Sequence, residues 1–90
     1  MSRADNNQKQ IVTMLRQVGA DVIILSQVGQ GCPDLLVGWQ GKNYLIEVKN
    51  PDTNKRGKLT KKQTILHSKF RGKIDVIYTW EQALNLLNIS

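Results

Sequence analysis

Two apolar runs and the turn between them constrain this chain more than any other stretch. Leu35-Leu36-Val37-Gly38-Trp39 is followed by Gln40-Gly41-Lys42 and then by Asn43-Tyr44-Leu45-Ile46-Glu47-Val48-Lys49. Runs this short, rich in branched and aromatic residues and joined through a glycine, predict an antiparallel hairpin. Side chains alternate faces along a strand. Tyr44, Ile46 and Val48 therefore share one face, and Asn43, Leu45, Glu47 and Lys49 share the other. Glu47 and Lys49 become same-face neighbours about 6.5–7 Å apart. Asp34, just before the first run, can approach them across the hairpin.

The rest of the chain supplies layers for that hairpin. Ile11, Met14, Leu15 and Val18 recur at spacings of three and four, and Gly19 follows, so Asp5–Val18 reads as an amphipathic helix. Asp5 with Gln8 has the spacing of a capping box at its start. Asp21–Leu25 is apolar on both faces and reads as an interior strand. Thr60–Phe70 is a second helix, with Thr60 and Gln63 as its capping box and Ile65, Leu66 and Phe70 toward the core. Ile74–Tyr78 is a fourth strand, and Thr79–Leu87 a last helix with Leu84 and Leu87 inward. The predicted order is αβββαβα, an α/β (α+β) single domain with a mixed sheet covered by helices.

Ninety residues suffice for one domain, spanning 1–90. The formal net charge of +6 favours a polyanionic partner. The densest positive stretch is Lys55, Arg56, Lys58, Lys61 and Lys62, in and just after a loop with no apolar character. Those five are candidate contacts to a phosphate backbone, which give affinity and salt dependence without reading sequence. The lone Cys32 allows no disulfide within the chain and reads as a small packed residue. The polar N-terminus has no signal-peptide core, and no apolar run reaches the ~20 residues of a membrane helix. A soluble cytoplasmic protein with no membrane partner is the expectation.

Chemistry concentrates in Asp34, Glu47 and Lys49. Two carboxylates at one end of a largely apolar sheet repel, so each calls for a cation or a proton. A hard ion such as Mg²⁺ takes one or two protein carboxylates together with water and substrate phosphate. A nearby ammonium can orient the attacking water or offset growing negative charge. His67, the only histidine, reads as a surface residue on a lysine-flanked helix.

Pro33-Asp34, with Glu47-Val48-Lys49 thirteen positions further on, resembles the PD-(D/E)xK nuclease signature. The flanks Gly31-Cys32-Pro33-Asp34-Leu35-Leu36-Val37-Gly38 and Leu59-Thr60-x-x-Gln63 resemble the VRR-Nuc family, over about Asp5 to Ile77. The resemblance implies a restriction-endonuclease-like fold and Mg²⁺- or Mn²⁺-dependent DNA cleavage. It makes Asp34 and Glu47 the metal ligands with the Val48 carbonyl. Lys49 would orient or activate the water, and Gln63 would support the site or contact DNA. The family's first-helix acid is commonly Glu, and here only Asp5 stands there, with Gln8 as a polar substitute. Short stand-alone members, often from phages, resemble homodimers that act on branched DNA such as Holliday junctions. The alternative expectation is a DNA-binding module of the same fold without catalysis.

Overall fold

The computed structural model describes residues 3–50 and 59–89. Its elements run α1 (Arg3–Gln17), β1 (Asp21–Ile24), β2 (Leu35–Trp39), β3 (Lys42–Val48), α2 (Lys61–Lys69), β4 (Ile74–Ile77) and α3 (Trp80–Leu86). The αβββαβα order is the one read from the sequence. The four strands form one sheet in the order β1-β2-β3-β4. β1 and β2 pair antiparallel, as do β2 and β3, while β3 and β4 are parallel. A parallel neighbour needs a crossover, and the segment carrying α2 provides it.

The central hairpin closes through Gln40 (φ 50°) and Gly41 (φ 78°), flanked by the pair Trp39 and Lys42. Two successive left-handed residues match the right-handed twist of the strands they join. The register pairs Leu35 with Ile46 and Leu36 with Leu45. One sheet face holds Leu35, Val37, Ile46, Val48 and Ile77, all buried under Ile11, Val12 and Leu15 of α1 and under Ala83 and Leu87 at α3. Trp39 and Trp80 pack partly buried against this core. Thr79 caps α3, its hydroxyl accepting from the Gln82 N–H and the Gln82 side chain returning to the Thr79 N–H.

Three expectations are corrected. β1 is an edge strand, not an interior one, and Ile23 on it is 57% exposed. The sheet ends there, so the doubly apolar run has a partner on one side only; Arg16 Nη2 donates to the Val22 carbonyl at 3.0 Å. α2 contributes no buried residue, and Ile65 and Phe70 are exposed rather than inward. Asp5 is not a cap, because α1 already begins at Arg3. The helix pattern itself is correct, with Ile11 and Leu15 fully buried.

Among the described residues, no helix is long and apolar enough to cross a membrane.

Candidate metal and catalytic site

Because Leu35 pairs with Ile46, Asp34 lies abreast of Glu47, on the face opposite the core. β2 begins at Leu35, and just ahead of it the Asp34 side chain extends the pairing: Oδ2 accepts the Val48 N–H at 2.8 Å. This pins one carboxylate to the backbone of the strand that carries the other. Glu47 is 1% exposed. Its Oε2 accepts from Gln63 Nε2 at 3.0 Å. Lys49, also buried, donates from Nζ to Gln63 Oε1 at 2.6 Å.

Gln63 thus carries two tasks in one amide. Its Oε1 also accepts the Thr60 N–H at 2.9 Å, while the Gln63 N–H donates to Thr60 Oγ1, which completes the capping box of α2. The donors around it fix the amide's orientation, since a flipped amide would turn its NH₂ toward the Lys49 ammonium. The start of α2 is therefore fastened to Glu47 and Lys49 by the residue that caps the helix. Gly31 makes this approach possible. A Cβ built there would lie 2.6 Å from the Lys62 carbonyl oxygen, and its φ of 78° already excludes most side chains.

Asp34, Glu47, Lys49 and Gln63 come together as the sequence predicts. Lys61 and Lys62 are exposed on the first turn of α2 beside them. Lys55, Arg56 and Lys58 lie outside the described residues, as does the side chain of Asp5. Gln8 does not reach the site; its amide exchanges hydrogen bonds with Ser26.

Two residues enter that sequence reasoning missed. Asn7 Nδ2 donates to the carbonyls of Lys49 (2.9 Å) and Tyr78 (3.0 Å), tying the ends of β3 and β4 to α1. It sits four residues before Ile11 and eight before Leu15, a polar member of the buried stripe, and that spacing was the available signal. His67 follows Gln63 by four and turns to the same carboxylate rather than to solvent. Its Nε2 lies 4.0 Å from Glu47 Oε1, and both atoms are buried with no hydrogen-bond partner among the described residues.

The electrostatics of the pair are unfavourable as they stand. Burial, hydrogen bonding with Asp34 and the negative charge of Asp34 push the Glu47 carboxyl up to about 9, with the Lys49 charge acting the other way. The Cys32 thiol is also pushed up, by burial first and then by Glu47 and Asp34, which keeps it protonated and poorly nucleophilic. An orphaned oxygen on a buried acid beside a second acid is what a divalent cation would satisfy, and hard oxygen donors suit Mg²⁺ or Mn²⁺. Among the described residues the acids come as a pair, with no third His, Cys, Asp or Glu completing a ligand cluster. Any further ligands would be backbone carbonyl, water and substrate oxygen.

Gly31→Ala tests how the site depends on α2. The left-handed backbone alone costs about 1–2 kcal/mol with a Cβ, and the clash adds to it. The added methyl will lift α2 off the sheet and move Gln63 away from Glu47 and Lys49. Faster amide exchange confined to α2 is the expected outcome. Unchanged exchange in α2 would show that the approach at Gly31 does not hold the helix.

Compared with family models, with curated proteins and with solved structures, the chain matches none.

Proposed function

We propose that this chain is a divalent-metal-dependent DNA endonuclease of the VRR-Nuc type, with a restriction-endonuclease-like core, hydrolysing phosphodiester bonds in branched DNA as a homodimer. The observation that carries the reading is the buried Glu47 set abreast of Asp34, with Lys49 held beside it through Gln63. A purely structural role does not account for this cluster, since burying Glu47 and Lys49 beside the half-buried Asp34 costs stability that apolar residues would not.

Asp34 and Glu47 would hold Mg²⁺ or Mn²⁺ with the Val48 carbonyl. Bound metal supplies an acidified water and positive charge beside the phosphoryl oxygens. Asp34, fastened to the Val48 N–H, keeps its carboxylate from swinging away. Glu47 is oriented through Oε2 by Gln63, and His67 stands at its other oxygen. Lys49 presents an ammonium whose position is set by Gln63, where it can orient the attacking water and offset charge developing on the phosphate. The exposed Lys61 and Lys62 add attraction for the DNA backbone. A two-fold dimer would place two such sites on a symmetric branch, as paired cutting requires.

The test compares a labelled four-way junction with linear duplex of matched sequence, in Mg²⁺, Mn²⁺ or EDTA. Metal-dependent cutting of the junction alone supports the whole reading. Cutting of both DNAs keeps the nuclease and removes the selectivity. Binding of DNA without cutting in either metal would replace the nuclease with a catalytically silent DNA-binding module. Light scattering reads the assembly: a monomer at working concentration counts against paired cutting.

A further inference from the structure

The sheet face that carries Glu47 is not fully covered, because α2 buries none of its residues. Beside the site this leaves an apolar groove of about 280 Å³. Its apolar lining comes from Val28, from Leu45 and Ile74 of the sheet, and from Leu66 and Phe70 of the α2 segment. Val28 is 61% exposed and Phe70 42%. The Phe70 ring folds back over the turn that follows it, where a Cβ on Gly72 would lie 2.7 Å from its Cε2. A second groove, of about 250 Å³, adjoins the first through Gln30 and Leu66 and is bordered by Lys62 and Lys69. Among the described residues, no acid lines either groove.

We propose that this groove binds an unpaired nucleobase of the DNA substrate, stacked on Phe70, with Lys62 and Lys69 holding the adjoining phosphates. The inference rests on the nuclease reading and narrows its substrate to DNA with unstacked nucleotides next to the scissile bond. Three features favour this occupant. Apolar and aromatic surface flanked by cations is the pattern that binds single-stranded nucleic acid, where bases stack and lysines track the backbone. The groove is continuous with the site. Cys32 and Pro33 line it directly before Asp34, and Leu45 precedes Glu47 by two residues on the same face, about 6.5–7 Å away. That is one step along an unstacked strand. A second copy of the chain is a poor occupant, because self-association through this face would oppose Lys62 and Lys69 with their own copies, in a protein of net charge +6.

The test uses the full chain in EDTA, so that binding is read without cleavage. Probes are a blunt duplex and the same duplex with a three-nucleotide single-stranded branch carrying 2-aminopurine next to the junction. Anisotropy gives affinity, and 2-aminopurine fluorescence reports stacking. The wild type should bind the branched probe more tightly and quench its fluorescence. Phe70→Ala should lower affinity for the branched probe on the order of 10-fold and abolish the quenching, with blunt-duplex affinity unchanged. Val28→Ser, at a position exposed enough to leave the fold intact, should weaken the same preference. Equal affinity for both probes in the wild type, or variants indistinguishable from it, would overturn the inference and leave the nuclease reading standing. A wild type that binds neither probe would overturn both. Variants that convert a dimer to monomer would assign the groove to a second copy and also overturn it.

Discussion

On the proposed nuclease reading, Lys49→Ala will lower cleavage by on the order of 10²–10³-fold while leaving metal binding in place. The two effects separate because of what Lys49 touches. Its ammonium donates to Gln63 Oε1, and its backbone carbonyl is held by Asn7, so the side chain can be removed without releasing the end of β3. Asp34 keeps its bond to the Val48 N–H, and Glu47 keeps its bond from Gln63. The loss should therefore fall on kcat, with Mn²⁺ still raising the melting temperature of the variant. Lys49→Arg should rescue little. The planar guanidinium is larger than the ammonium and cannot reproduce a single short bond to an amide oxygen that also caps a helix. A Lys49→Ala variant that cleaves at the wild-type rate would remove the lysine from the mechanism. Loss of cleavage together with loss of the Mn²⁺ response would recast it as a residue that shapes the metal site.

What the sequence revealed and what it hid follow from the same physics. Register in a hairpin is specified when one face is apolar and the turn admits positive φ. Leu35–Lys49 meets both conditions, so the approach of Asp34 to Glu47 is legible in the sequence. The capping box of Thr60 and Gln63 is equally local. β1 was misread because Val22-Ile23-Ile24-Leu25 has the same composition whether a strand has neighbours on two sides or one; only the sheet order decides, and it is not local. α2 was misread because apolar residues in a helix say that it has an apolar side, not that the protein covers it. Ile65 and Phe70 lie toward the grooves, and the helix is fixed instead by Gly31, Gln63 and His67. His67 was read from its lysine neighbours as surface, whereas its four-residue spacing from Gln63 sets it on the Glu47 side. Asn7 was overlooked for a similar reason, as a polar residue beside an acid that the family pattern made more conspicuous.

Glu47→Gln will make the metal-free protein more stable at pH 8 and, on the proposed metal-site reading, will remove most of the stabilisation expected from Mg²⁺ or Mn²⁺. The folded-state carboxyl is raised from an ordinary 4.5 to about 9. Between those values the folded chain keeps a proton that the unfolded chain releases, so the stability of the wild type falls as pH rises through this window. The contribution is complete below about 4.5 and gone by about 9. A glutamine cannot ionise, so the variant should show no such slope, and the two proteins should melt alike near pH 4.5. Gln63 Nε2 can still donate to the new amide oxygen, which limits the disturbance to the charge. Water penetration and relaxation discount a buried-charge penalty heavily, leaving a gain of about 1–3 kcal/mol at pH 8. For a domain this size that is a rise on the order of 5–15 °C. On the same reading, cation binding would act in the opposite sense on the wild type: it needs the carboxylate ionised, expels the Glu47 proton and stabilises the fold by mass action, about 2.7 kcal/mol at a hundredfold excess over Kd. Thermal melts from pH 4.5 to 9, with and without Mn²⁺, read both halves. If Glu47→Gln melts lower than the wild type at pH 8 without metal, Glu47 is already an ionised partner of Lys49, and the strained acid pair that calls for a cation is absent.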